Sequence, residues 1–279
     1  QLPDPTVPHT RVVPTVLAGI ALLCCAPSAQ ARMADTAFLQ AVERGVTLFD
    51  SAYNAWSHEA FSQVYEYFGA LAERYDTSHV PPYWQGVAQF YIVSYRLFGL
   101  EGDRDKGAAG QAADMALSSL QDALARRPDD AETWALVGTL TGMKIYLSPF
   151  QAPVLGPRVT RAKQKAMAVD SGSPRVWYLV GVSYYFTPGL LGGGVDKGLD
   201  HMLKAERLFA EEERTKPADP LAPRWGRSTC LGFIAKAHAR KGRDAVAKRY
   251  YREALAVNPA DKMARMGLQD IEDRAHSPP

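Results

Sequence analysis

One hydrophobic pattern recurs along the chain, and it allows little other than stacked helical hairpins. It is clearest where Leu231, Ile234, Ala235, His238, Gly242, Ala247, Tyr251, Ala254 and Pro259 follow one another. That spacing places large and small apolar residues on one face of a helix, then a glycine turn. A second helix follows, with small, aromatic and small positions before a proline stop. A single hairpin of this kind cannot bury its apolar side. It has to stack on neighbours, so several copies are needed.

The copies are present. In the last unit the small residues of the two helices, Ala235 and Ala254, lie 19 residues apart. Upstream, Gly181 and Ala205 are 24 apart, Gly138 and Ala166 are 28, and Ala88 and Ala123 are 35. The junctions stay constant, with Ala123 to Trp134 and Ala166 to Trp177 both 11 residues. Insertions therefore fall at the turns inside hairpins, with one exception. Ala205 to Leu231 is 26 residues, which leaves 15 extra around Thr215 to Trp225. Trp84, Val87, Ala88 and Tyr91 share one helical face, and Trp177, Val180, Gly181 and Tyr184 repeat it.

This is the grammar of the tetratricopeptide repeat (TPR). The expected fold is all-α, a TPR-like α-solenoid of about five helical hairpins plus a C-terminal capping helix, over residues 32–275. Thr36 to about Ala52 and Ser57 to Tyr75 form the first hairpin, with Ser57 as N-cap. Asp129 and Glu132 have the capping-box form, and Pro128 and Pro259 stop the helices before them. Asp261 to about Arg274 reads as the closing helix, and His276 to Pro279 as a disordered tail.

Val12 to Ala26 is apolar and is followed by Ala29-Gln30-Ala31, the small-x-small form cut by signal peptidase. Residues 1–31 are expected to be a signal peptide, with the remaining chain periplasmic or secreted and without a membrane span. Formal net charge is +2, which gives no field for nucleic acid. After Cys24 and Cys25 only Cys230 remains, on a helix that reads as packed.

In such stacks the first helices line a concave groove. The register selects Gln85, Gln89, Glu132, Thr139, Met143, Arg175, Tyr178, Tyr185, Phe186, Lys236 and Arg240. Arginine and tyrosine are good anchors, so Gln85, Gln89, Thr139, Arg175, Tyr178, Tyr185, Lys236 and Arg240 are the candidate partner-binding residues. The turn at Thr187, Gly192, Gly193 and Gly194 could offer backbone N–H groups to an anion, although it has no Walker spacing. His58-Glu59 lacks the second histidine of a zinc protease helix, and the other histidines are dispersed. No catalytic residue, metal or cofactor is expected.

Several segments between Gly138 and Pro259 are more specific. They are Gly142-Met143-Lys144 with Ser148-Pro149, Pro174-Arg175-Val176-Trp177, Tyr184-Tyr185-Phe186-Thr187-Pro188 with Gly192-Gly193-Gly194, Lys204-Ala205 and Trp225-Gly226. Through them the chain resembles a bacterial family of exported TPR proteins of uncharacterised function. It is similar, over less, to the periplasmic TPR subunit associated with TRAP transporters. The first resemblance implies a TPR fold outside the cytoplasm and no reaction. The second implies a soluble partner of a substrate-binding protein, one that could have a ligand-holding pore. The expected function is a non-enzymatic module that binds a protein or peptide on its concave face. The alternative is a small-molecule or substrate-binding accessory of a TRAP-type transporter.

Overall fold

The computed structural model describes residues 29–98, 104–215 and 221–276, and among them are eleven α-helices and no strand. Five antiparallel hairpins follow in order: α1 (Ala29–Ala55) with α2 (His58–Arg74), α3 (Val80–Phe98) with α4 (Lys106–Arg126), and α5 (Ala131–Leu147) with α6 (Ala152–Val169). Then come α7 (Pro174–Phe186) with α8 (Val195–Thr215) and α9 (Arg227–Arg240) with α10 (Asp244–Val257), and α11 (Lys262–His276) closes the stack. The protein is an all-α solenoid of five hairpins and a closing helix. The apolar run Val12 to Ala26 lies outside the described residues. So does the expected disordered tail, except His276, which ends α11.

Local chemistry explains the boundaries. Ser57 caps α2 by accepting from the Ala60 N–H, and Ser173 caps α7 by accepting from Val176, with Pro174 at the first helical position. The capping box at α5 is corrected. Asp130, not Asp129, is the cap and accepts from the Thr133 N–H at 2.7 Å. That leaves Glu132 at the second helical position, one short of the box, and the buried Arg175 guanidinium holds it instead. The constant junctions have a structural cause. The Trp134 and Trp177 indoles each donate to the carbonyl six residues upstream, Pro128 at 2.9 Å and Ser171 at 2.7 Å. Small residues set the helix spacing: a Cβ on Gly181 would stand 2.7 Å from the Met202 side chain and 3.1 Å from the Gly198 carbonyl.

The stack curls until its first and last hairpins meet. Tyr53 near the end of α1 donates to Asp261 at 2.7 Å, just before α11. Its hydroxyl proton is thereby used, so the Thr229 hydroxyl of α9, 3.0 Å away, donates to it. Tyr91 of α3 completes the relay, 3.3 Å from Thr229. Asp261 also takes a hydrogen bond from Ser228 and caps α11 through the Ala264 N–H at 2.9 Å. Asn258 donates to Asn54 at 2.9 Å, and Lys262 to the Ala55 carbonyl at 3.1 Å.

The remaining inner space is filled by the long inter-repeat connection. Trp225 enters from the α8–α9 link and is 6 % exposed. Its ring packs 5.9 Å from Tyr91 and 6.4 Å from both Phe90 and Tyr178. Its indole N–H donates to the Tyr83 hydroxyl at 2.9 Å. A buried indole in a ring-lined site contributes several kcal/mol. Trp225→Ala should therefore lower the unfolding free energy in guanidinium titration by about 3–5 kcal/mol. Tyr53→Phe should lower it by about 1–3 kcal/mol, because Thr229 and the buried Asp261 each lose one of their partners. A Trp225→Ala protein as stable as the parent would show that the plug carries nothing.

Candidate functional site

The expected open groove is corrected by the packing of the inner wall. Gln89, Thr139, Arg175 and Tyr178 are buried, so no partner can reach them in the folded stack. Thr139 donates within the wall, close to the Ala135 and Leu179 carbonyls. Gln85 is half-buried and donates to the Tyr65 carbonyl at 3.3 Å. Tyr178 stacks among Trp225 and Phe233. The register places the first helices inward as expected. Curvature and Trp225 then cover most of what they show.

Arg175 is the hub of this wall. Its Nε donates to Glu132 at 2.8 Å, its Nη1 to Glu212 at 2.9 Å and its Nη2 to the other Glu212 oxygen. Nη1 also lies 3.4 Å from the Trp225 carbonyl. Burial would lower the pKa of this guanidinium, but the charges of Glu132 and Glu212 outweigh it and the net shift is upward. Glu132 accepts in addition from Ser173 at 2.9 Å and Tyr83 at 3.0 Å. Trp225, Tyr83, Glu132, Arg175 and Glu212 thus form one network across four helices and the α8–α9 connection, and its role is to hold the plug.

On either side of the plug a hollow remains. One, of about 480 Å³, lies at the starts of α3 and α5, among Tyr83, Arg127, Asp129, Asp130, Glu132 and Asp170. The other, of about 520 Å³, lies at the opposite ends of the first helices. Its walls are Tyr53, Trp56, Tyr91, Tyr185, Phe233 and Tyr251, with Met263, Met266 and Ile271 from α11. Arg104, Lys236, Arg240 and Arg274 contribute positive charge. Of the expected site residues, the structure gathers three here: Tyr185, Lys236 and Arg240.

This hollow gathers four cationic side chains. Burial first, then the charges of Arg104 and Arg240, holds the Lys236 ammonium below its ordinary pKa. Its side chain stays accessible through the cavity while protein atoms surround it. Arg240 lies 5.6 Å from the Tyr185 ring centroid. The two lining carboxylates already have partners: Asp261 serves Tyr53 and Ser228, and Asp270 faces Arg274 at 3.6 Å. Arg104, Lys236 and Arg240 lie close together, and Arg274 comes from α11 beside its methionines.

Trp56 is the residue that sequence reasoning missed. It follows α1 with φ at +47°, alone among described non-glycine residues in the left-handed region. This conformation costs about 1–2 kcal/mol in an L-residue. It persists because the ring is held by Tyr53, Phe61 and Tyr91 at 5.9, 6.1 and 6.2 Å. The backbone turn places the indole in the cavity wall, and its buried N–H has no hydrogen-bond partner among the described residues. Nothing in the sequence around Trp56 signals this, because α1 meets α9 and α11 only after five hairpins have curled.

The glycine turn is corrected as an anion site. The Gly192 N–H donates to Gly189, that of Gly193 to Pro188 and that of Gly194 to Tyr184, so none is offered outward. The Thr187 hydroxyl donates to Ser183 at 2.7 Å. A Cβ on Gly193 would fall 2.3 Å from the Thr187 carbonyl oxygen, which explains the glycine by packing. Cys230 is buried and burial pushes its thiol pKa up, away from nucleophilic use. Among the described residues no group of three or more His, Cys, Asp and Glu side chains could hold a metal.

No family model matches the chain, and no curated protein does. Among solved structures it is similar to the HusA haemophore from Porphyromonas gingivalis, with a TM-score of 0.59 and 19 % identity over 73 % of this chain and 94 % of that one. At that identity the likeness shows the fold alone. Removing the Arg175 hub should be costly, because it strands two carboxylates. Arg175→Met is expected to destabilise the protein by about 3–5 kcal/mol in chemical denaturation. The double change Arg175→Met with Glu132→Gln should recover part of that loss. Additive losses would show that the two side chains act independently.

Proposed function

We propose that this protein is a non-enzymatic TPR-type holder of a small molecule, and that its ligand has an apolar, ring-like body and at least one anionic group. The observation that carries this reading is the hollow of about 520 Å³, whose lining includes six aromatic rings and the neighbouring Arg104, Lys236 and Arg240. Ligand pockets commonly measure about 300–1,000 Å³, and are mostly apolar with a few polar groups that fix orientation. Lys236 and Arg240 are such groups, since both side chains are exposed and line the hollow. The repeat pattern from Leu231 to Pro259 supports TPR membership, and the sequence resemblance supports an exported, periplasmic protein.

A peptide laid along the concave face is the weaker reading, because it would have to displace Trp225 and reach buried Gln89, Arg175 and Tyr178. A small ligand needs no such opening. An accessory role beside a TRAP-type transporter is compatible with a ligand holder, and nothing in the site chooses that transporter. The haemophore neighbour makes haem a sensible first probe. Its flat ring and paired carboxylates match aromatic walls with neighbouring cations.

The test is a titration with haem and, separately, with a long-chain fatty acid, read by absorbance and tryptophan fluorescence. Saturable one-to-one binding is expected for haem, and binding of the fatty acid alone would replace the ring-like body with an extended chain. Arg240→Met and Lys236→Met should each weaken it by about 10-fold, the scale of one charge-assisted hydrogen bond. Lys236 is charged below its lowered pKa and neutral above it. Affinity should therefore fall as pH rises through that value, below the ordinary lysine range, and Lys236→Met should flatten the fall. Failure of haem to saturate, or binding indifferent to Arg240 and Lys236, would sink the assignment.

A further inference from the structure

We propose that the hairpin tips of the third and fourth repeats dock on an anionic lipid bilayer. The motive is a cluster of large apolar side chains that the fold displays rather than hides. Phe150, in the short 3-10 turn after α5, is 85 % exposed. Val154, in the first turn of α6, is 65 % exposed. The α7–α8 turn presents Leu190, fully exposed, and Leu191 at 67 %. Tyr146 is half exposed at the end of α5. The two tips are neighbours, since the Tyr146 and Phe186 rings at the ends of α5 and α7 lie 6.0 Å apart. Single exposed apolar residues are ordinary, but a shared edge of them marks an interaction surface.

The leucines are held out by construction. Leu191 and Gly193 both donate to the Pro188 carbonyl, at 2.9 and 3.2 Å, and Gly194 donates to Tyr184. Gly192 takes φ of +79°, which closes the turn beneath the two side chains. A turn tied down in this way loses little further freedom when its tip is buried.

Charge selects the occupant. Helix α6 carries Arg158, Arg161, Lys163 and Lys165 and has no acidic residue from Ala152 to Val169. Lys197 adds a cation beside the glycine turn, donating to the Gly192 carbonyl at 3.0 Å. On α8, Asp196 is bridged to Lys241, which leaves Asp200 as the nearby acid. The Lys163 and Lys197 ammoniums stand 4.0 and 4.1 Å from the centroid of the Tyr184 ring, so like charges are already crowded on this edge. With about 1.5 Å of rise per residue, Arg158 and Arg161 lie roughly 6 and 10 Å behind Val154 along α6. That is the depth at which lipid headgroups sit when apolar side chains enter the acyl boundary. A second copy is a poor occupant, because a two-fold contact would set one basic α6 against another.

The experiment is co-sedimentation of the full chain with vesicles of phosphatidylglycerol mixed with phosphatidylcholine, and with phosphatidylcholine alone. Every variant keeps the same N-terminal apolar stretch, so differences between variants report the tips. Binding is expected to prefer the anionic vesicles and to weaken with salt. Leu190→Ser with Leu191→Ser should lower it by about 10-fold or more. Arg158→Gln with Arg161→Gln should lower it by about 30-fold, at about 1 kcal/mol per charge. Both pairs are exposed, and unchanged thermal unfolding confirms that they fold. The proposal is overturned if parent and variants bind alike, if neutral vesicles bind equally well, or if the tips yield only a dimer that Leu190→Ser with Leu191→Ser dissolves.

Discussion

A curved stack of helical hairpins has an inner wall that something must cover, and here the chain covers it with its own side chain. Trp225 fills the centre, with its ring against Phe90, Tyr91 and Tyr178 and its N–H on Tyr83. The backbone behind the indole reaches Arg175, whose charge is balanced by Glu132 and Glu212. An ion network at this depth gains little over an apolar substitute, but removing one member leaves a stranded charge. The network therefore fixes one arrangement of α5, α7, α8 and the connection. The plug and its hub divide the groove into two hollows of different character.

The hollow that matters for function exists because of a second contact, the clasp between Tyr53 and Asp261. Asp261 is 2 % exposed and ties α1, α9 and α11 together through Tyr53, Ser228 and the Ala264 N–H. The clasp brings Trp56 opposite α11 and makes a chamber from residues more than two hundred positions apart. The left-handed backbone at Trp56 is the local cost of placing an indole in that wall. Plug, clasp and strained turn together give the cavity its aromatic lining, while Arg104, Lys236 and Arg240 give it a sign.

The cavity and the exposed tips lie toward the same ends of the first helices. Trp56, Arg104, Tyr185 and Arg240 are at or near the tips of their hairpins, as are Phe150 and Leu190. A molecule resting tip-first on an acidic bilayer would turn its cationic chamber toward that surface. The two readings are separable, since the tip residues are not among those lining the cavity.

The repeat period by itself determined the hairpins, their number and their stacking, because a 3.6-residue apolar periodicity with small residues at fixed distances can be satisfied only by paired helices. It also located the anomalous connection ending at Trp225, as residues left over from an otherwise constant spacing. It marked Tyr185, Lys236 and Arg240 as inward-facing, and all three line the chamber. It misjudged Gln89, Thr139, Arg175 and Tyr178, because register says which way a side chain points and nothing of what arrives to cover it. Arrival was decided by the tertiary structure. Small rotations between successive hairpins add up over five units, and only their sum sets whether the ends meet, where Trp225 lands and what space is left. Trp56 shows the limit most plainly: its neighbours in sequence predict a helix end, and its role comes from helices that close around it from the far end of the chain.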